Sequence, residues 1–454
     1  MSGQNRLPIW QIGTIWLLRL LIGGLFVMSG FVKMVDPWGF IFKIEEYLAV
    51  WHFTEPRTVV LMAVLMISGY EFVMGALLAM GCYKRVAPWG LLLMMGVMLP
   101  LTLYIWIENP VSDCGCFGDF WILSNAATFW KNVAITAALV FLACRNNRLR
   151  QGFFEPSIQW MTGAWISLYI LLVGLYGYNI QPLMDFRSYP VGTGLARADE
   201  DVEDDTHYRF LYEKDGEKRD FSIDELPDST WNFVDRIYIG NEALADGSTS
   251  LAIFDGDEEV TSEVLNASGD EILLIIPEPV RADISYTFTV NEMYEYADSL
   301  GIQVVALLGG DRRAVDRWRD IAMAEYPCYS ADDTQLKELA RGTLSVVTLR
   351  DGVVTSKNAV GMLTPGVIEA PETPERFMEE IRGYSDGKLF MLNLIFGGGL
   401  LLLYACQGII LGIRFGIRKW LSSRKGHPEG REDKSSITEA AQNSTKRDGD
   451  IGEV

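Results

Sequence analysis

Two cysteines separated by one glycine, in Ser112-Asp113-Cys114-Gly115-Cys116-Phe117-Gly118-Asp119, are the residues best suited to covalent chemistry. At this spacing their Cα atoms would lie roughly 5.5–7 Å apart, the long end of disulfide geometry. Gly115 relaxes the backbone limits on closing so small a ring. A bridge this short closes almost no loop and adds little stability. It would be strained, and a strained disulfide exchanges electrons readily. A structural disulfide and a metal site are the rival uses. The second would need further ligands, and the neighbouring loops offer only His52. Asp113 and Asp119 flank the pair and would raise its thiol pKa by like-charge repulsion, unless Lys33 or Lys131 comes close.

A second set of polar residues sits inside apolar segments. Arg19 and Glu71 each fall well within a hydrophobic run, where an unpaired charge costs several kcal/mol. Counted from the ends of their helices, both lie roughly 18–20 Å deep. That depth predicts a buried Arg19–Glu71 pair. Such a pair either locks two helices together or marks a proton- or quinone-related site. Ser29 and Lys33 are four apart and share one helical face. Lys33 is expected to snorkel to the headgroups.

These residues are placed by apolar segments long enough to cross a bilayer. Six qualify: Ile9–Phe31, Thr58–Gly81, Pro88–Ile107, Trp130–Cys144, Ile158–Tyr178 and Leu389–Ile413. The first is too long for a signal-peptide core and has no small-residue cleavage site, so it reads as an uncleaved span. Lys84, Arg85, Arg145, Arg148, Arg150 and the basic run after Ile413 mark one side as cytoplasmic. Both termini then face the cytoplasm of a bacterial inner membrane. The loops 36–56 and 108–129 and the large region before the last span face the periplasm.

Of the six cysteines, Cys82, Cys144 and Cys406 fall on the cytoplasmic side or in a span and read as small apolar fillers. The Cys114–Cys116 pair and Cys328 fall on the oxidising side.

The region 185–386 holds roughly 43 Asp and Glu against 18 Lys and Arg, within a chain of net charge −20. That charge excludes a nucleic-acid role and keeps the region off anionic headgroups. Tyr208–Tyr212 and Lys218–Ile223 read as a hairpin turning at Asp215-Gly216. Strands are expected at Leu251–Phe254, Glu271–Pro277, Gln303–Leu308, Ser345–Leu349 and Val353–Ser356. Helices are expected at Thr289–Leu300, Arg312–Met323 and Asp333–Ala340. The alternation predicts an α/β sandwich.

The string Arg19…Ser29-Gly30-Phe31-Val32-Lys33…Asp36, with Glu71, Cys114-Gly115-Cys116-Phe117-Gly118-Asp119 and Lys131-Asn132, resembles the DoxX and MauE group of four-helix membrane proteins. The likeness covers about Leu7–Cys144. Met184-Asp185-Phe186-Arg187-Ser188-Tyr189-Pro190-Val191-Gly192 resembles the longer Bacteroidota type with an added periplasmic domain. The resemblance implies a redox-associated module; MauE is linked to maturation of a disulfide-rich periplasmic dehydrogenase. Nothing points to methylamine as a substrate here.

The α/β order resembles a thioredoxin-like fold but departs from it at the chemistry. Pro279-Val280-Arg281-Ala282-Asp283-Ile284 stands where Cys-x-x-Cys would follow a strand, and Gly342-Thr343-Leu344 stands where the later Pro is expected. Cys328, between Pro327 and Tyr329, is the domain's lone thiol and reads as core before nucleophile.

The expected layout is a DoxX-like four-helix membrane domain over residues 1–150 and a fifth membrane helix over 151–180. A linker and hairpin region follows over 181–248, then a degenerate thioredoxin-like domain over 249–386. A sixth membrane helix covers 387–420, and a disordered cytoplasmic tail covers 421–454. Two functions stand close together. One is a thiol-disulfide oxidoreductase component using Cys114 and Cys116 on periplasmic clients, with a quinone as conceivable acceptor. The other is a non-enzymatic assembly or client-binding factor using the α/β domain. A transporter ranks third, since no inverted repeat is evident.

Overall fold

The computed structural model describes residues 8–53, 55–111, 114–121, 123–146, 152–195, 208–214, 217–221, 232–238, 251–266, 268–363, 373–383 and 388–425. The turn at Asp215-Gly216, Asp113 and the tail beyond residue 425 lie outside them.

Six helices are long and apolar enough to cross a membrane, so the chain is a multi-pass membrane protein. Five are α1 (Ile9–Val35), α3 (Arg57–Ala79), α4 (Val86–Glu108), α5 (Asn125–Arg145) and α6 (Gln159–Asn179). The sixth span lies within the terminal helix Lys388–Lys425. From Gly398 onward the chain forms a separate unit. Between α1 and α3 lies α2 (Pro37–Val50), in a stretch expected to be loop. Its start is well marked. Asp36 accepts a hydrogen bond from Gly39 N at 3.1 Å, and Pro37 occupies the first turn, where a missing N–H does no harm.

Glycines set the packing of α1 on α3. A Cβ on Gly30 would lie 2.6 Å from Phe72 N and Ser68 O, and one on Gly23 would lie 2.7 Å from Gly75 O. The backbones therefore touch, as small residues allow between membrane helices. This contact fixes the register: Ser29 comes level with Glu71, and Arg19 comes level with Gly81. The expected Arg19–Glu71 pair is not formed. The ends of the two helices are not level. α3 begins above the end of α1 and packs there against α2, where Trp38 and Ile41 meet Val60 and Val64. Arg19 is fully buried and donates from Nε to Asn146 Oδ1 instead.

The α/β region has a seven-stranded sheet in the order β10-β9-β6-β7-β8-β4-β5. The strands are β4 (Ile253–Asp255), β5 (Glu258–Glu259), β6 (Asp270–Ile276), β7 (Gln303–Gly309), β8 (Cys328–Ala331), β9 (Ser345–Arg350) and β10 (Val353–Ala359). β6 is parallel to β7 and β7 to β8, while β9 runs antiparallel to β6 and β10 to β9. β6 and β7 are buried nearly throughout, as central strands covered on both faces must be. A separate three-stranded sheet, β2-β1-β3, joins β1 (Tyr208–Lys214), β2 (Glu217–Phe221) and β3 (Asn232–Tyr238).

The α/β region sits on the same side of the bundle as the Cys114–Cys116 loop, clamped to α2. Arg341 Nη2 reaches Asp36 Oδ2 at 2.8 Å. Arg57 bridges Glu45 of α2 (3.1 Å) and Glu278 (2.8 Å), and Lys337 holds the other oxygen of Glu278 at 3.1 Å. Glu278 follows β6, in the loop where the sequence lacks a cysteine pair.

Glu271, near the start of β6, is buried and its Oε1 has no hydrogen-bond partner among the described residues. Burial pushes its carboxyl from 4.5 up to about 7. Below pH 4.5 the group is protonated in both folded and unfolded chains, so it takes nothing from stability. Between pH 4.5 and 7 the unfolded chain releases the proton first, so stability falls as pH rises, then levels off. Glu271→Gln should therefore stabilise β6 at pH 8 by up to about 3 kcal/mol and have little effect at pH 4. Hydrogen exchange of the β6 amides in the full-length protein measures this. Equal protection of the two proteins at pH 8 would refute it.

Candidate functional site

The cysteine loop begins where α4 stops. Asn109 takes a left-handed conformation at φ 47° and ends the helix. Asn125, at the start of α5, donates to Asn109 Oδ1 (2.8 Å) and to Val111 O (3.1 Å), tying the two ends of the loop together. Gly115 has φ +67°, and a Cβ there would meet Lys43 of α2 at 2.9 Å. Both facts require glycine between the cysteines.

The Cys114 and Cys116 sulfurs lie 3.1 Å apart as unbonded thiols. Cys114 is buried in a small apolar cluster with Ile105 and Val111, and Tyr47 of α2 packs against that cluster. The loop dips into the bundle. Cys116 O lies 2.7 Å from Ser29 Oγ, and Ser29 is about 9 Å along the helix from its end at Val35.

Three of the four polar residues singled out inside the membrane meet beneath this loop. Lys33 Nζ lies 2.7 Å from Glu71 Oε2, with side-chain exposures of 1% and 2%. Lys33 donates to Ser29 Oγ at 3.2 Å, and Ser29 Oγ is also 2.9 Å from Glu71 Oε2. The single Ser29 hydroxyl proton can serve either Glu71 or the Cys116 carbonyl, not both. Lys33 is thus a buried ion-pair partner and does not snorkel to the headgroups. Arg19 lies apart from this cluster.

A cavity of about 30 Å³ adjoins Cys116, lined in part by Ser29, Glu71, Met95, Phe117, Lys131 and Asn132. It has room for one or two water molecules. A quinone ring does not fit it as it stands. Lys131 Nζ lies 4.4 Å from the centroid of the Phe117 ring. The sequence marks Lys131 as part of the Lys131-Asn132 pair and as a residue that could come close to the cysteines. Its place became visible once α5 had packed against the loop.

The two thiols are unequal. The hydrogen bond shared with Cys114 is the largest effect on Cys116. With Lys131 and Lys33 it lowers that thiol to about 7, against burial and the charge of Glu71. The same hydrogen bond, with burial, raises Cys114. Cys116 is therefore the thiol that gives up its proton more readily. Asp113 lies outside the described residues, as does the side chain of Asp119, so the repulsion expected from them falls outside the described residues too.

Cys328 is buried in the sheet core, its thiol 3.4 Å from Tyr326 O, and burial pushes it up to about 11. It is no part of the cavity. Among the described residues no group of His, Cys, Asp and Glu is placed to hold a metal ion.

Residues 13–145, from α1 through α5, match the family model described as methylamine utilisation protein MauE. Over these residues the chain is similar to that family. Residues 206–238, the small β2-β1-β3 sheet, match a domain of unknown function (DUF8463). No curated protein and no solved structure matches the chain.

Proposed function

We propose that the chain is a thiol-disulfide exchange component of a bacterial inner membrane. In this reading Cys114 and Cys116 react with thiols of exported proteins, and both chain termini face the cytoplasm. One observation carries it: the two sulfurs are 3.1 Å apart, and one thiol is lowered to about 7, so that a substantial share of it is ionised near neutral pH. The thiolate is the reactive form in exchange. A purely structural bridge would gain nothing from that asymmetry. The positive residues Lys84, Arg85 and Arg145 at the opposite ends of the spans support the orientation.

Residues 249–386 are read as a degenerate thioredoxin-like domain. The parallel β6–β7 pair flanked by antiparallel β9 and β10 supports this. Glu278 occupies the loop after β6 and is tied to Arg57. That supports a docking role for the domain and no dithiol chemistry of its own. The second reading, a client-binding or assembly factor, draws on the same observation.

Cys114→Ser and Cys116→Ser should each abolish function and leave a folded, membrane-inserted protein. At least one should trap a mixed disulfide with an exported protein, identified by non-reducing electrophoresis and mass spectrometry. Trapped cytoplasmic proteins would invert the orientation. Full function in the double Ser variant would end the exchange reading and leave the binding one.

A further inference from the structure

Two lysines approach the cysteine loop from inside the bundle. Lys33 of α1 is already neutralised by Glu71 of α3 at 2.7 Å. Lys131 of α5 has no carboxylate within ion-pair distance among the described residues; its ammonium rests on the Phe117 ring at 4.4 Å. Lys131 and Cys116 line the same small cavity. Among the described residues, the other charged or titratable groups near the pair are Cys114 in the loop itself, Lys43 of α2, which packs on Gly115, and Tyr47 of α2, beside Cys114. With Cys116 as a thiol, the cluster of Lys33, Glu71 and Lys131 carries one positive charge that nothing in it offsets. With Cys116 as a thiolate, the charges balance. A weakly hydrated site makes that balance count for more than it would in water.

We infer that Lys131 is the counter-charge of the Cys116 thiolate and so favours the reduced form of the Cys114–Cys116 pair. The inference rests on the exchange reading above and adds to it the residue that sets the pair's oxidising strength. The step balances as follows. A client dithiol reduces the Cys114–Cys116 disulfide, and its two electrons pass to the sulfurs of the pair. The client disulfide forms and the Cys114–Cys116 bond breaks. Cys114 ends as a thiol, Cys116 as a thiolate facing Lys131, and one proton goes to water. Stabilising that thiolate shifts the equilibrium toward client oxidation, because a pair whose reduced form is stabilised is the stronger oxidant. Lys131 acts on the pair through charge, as a positioning residue.

The test uses the full-length protein in detergent, reduced, with alkylation of Cys116 followed by mass spectrometry of its peptide from pH 5 to 10. Lys131→Met should move the midpoint of the rate profile up by about one unit, which is roughly tenfold slower alkylation at pH 6. It should shift the exchange equilibrium with glutathione about tenfold toward the disulfide, about 30 mV for two electrons. Lys131→Arg, which keeps the charge, should restore both. Should Lys131→Met fold poorly, Lys131→Gln supplies the same comparison. An unmoved profile in a folded neutral variant would overturn the inference, as would failure of Arg to restore it in a folded protein. The exchange reading fails separately: a pair that never cycles in cells would end it even if the alkylation profile shifts as expected.

Discussion

Glu71→Leu should sharply reduce the amount of folded protein. Glu71 is the only carboxylate among the described residues within ion-pair distance of Lys33, and both side chains are almost wholly buried. Removing one member of a buried pair leaves an uncompensated charge, which costs roughly 3–5 kcal/mol in soluble proteins. Lys33→Met should be as damaging for the same reason. The double variant loses the attraction and the stranded charge together, so it should recover much of the folded protein. Glu71→Gln should fall between, since it keeps an acceptor for Ser29 and loses the charge. Fluorescence-detected size exclusion of a tagged protein gives the folded fraction for all four. Arg19→Leu combined with Glu71→Leu should be additive, because these residues are not partners. A double Lys33/Glu71 variant as poor as the summed singles would show that the ion pair is absent.

The sequence made the components of this cluster legible but not their pairing. Arg19, Ser29, Lys33 and Glu71 stand out because charge and hydroxyl are rare within apolar runs. Which of them meet depends on helix register, and the lengths of the apolar runs do not carry it. Counting inward from helix ends assumes that the ends are level. Here α2 fills the space above α1 and lets α3 overshoot. Asp36-Pro37 marks the start of that helix, but its 14 residues are too few to register among the spans. The Cys-Gly-Cys chemistry was legible because spacing alone limits what two thiols can do. Their inequality was not, since it comes from Lys131 on a different helix and from the hydrogen bond between the sulfurs. In the α/β region, the long buried strands β6, β7 and β9 were readable as apolar runs. β8 is four residues long and follows a proline, so it leaves too little pattern to read.

Gly30 offers the sharpest test of the register, because its effect should be large for a very small change. A methyl group there would sit 2.6 Å from two backbone atoms of α3, Phe72 N and Ser68 O, and backbone cannot rotate away as a flexible side chain can. Gly30→Ala must therefore push α1 off α3. Overpacking of this kind typically costs 1–3 kcal/mol. Here it also pulls Ser29 and Lys33 away from Glu71, so the loss should exceed the packing term alone. Gly24, on the same helix, has nothing within 4 Å of an added Cβ. Gly24→Ala should be harmless or slightly stabilising, by about 0.5–1 kcal/mol, since alanine is the better helix former. The pair of variants separates crowding from helix propensity, because propensity favours alanine at both positions. Thermal unfolding in detergent and the yield of folded protein are the measurements. If Gly30→Ala behaves like Gly24→Ala, α1 and α3 do not touch at Gly30, and the level placing of Ser29 and Lys33 beside Glu71 beneath the cysteine loop goes with it.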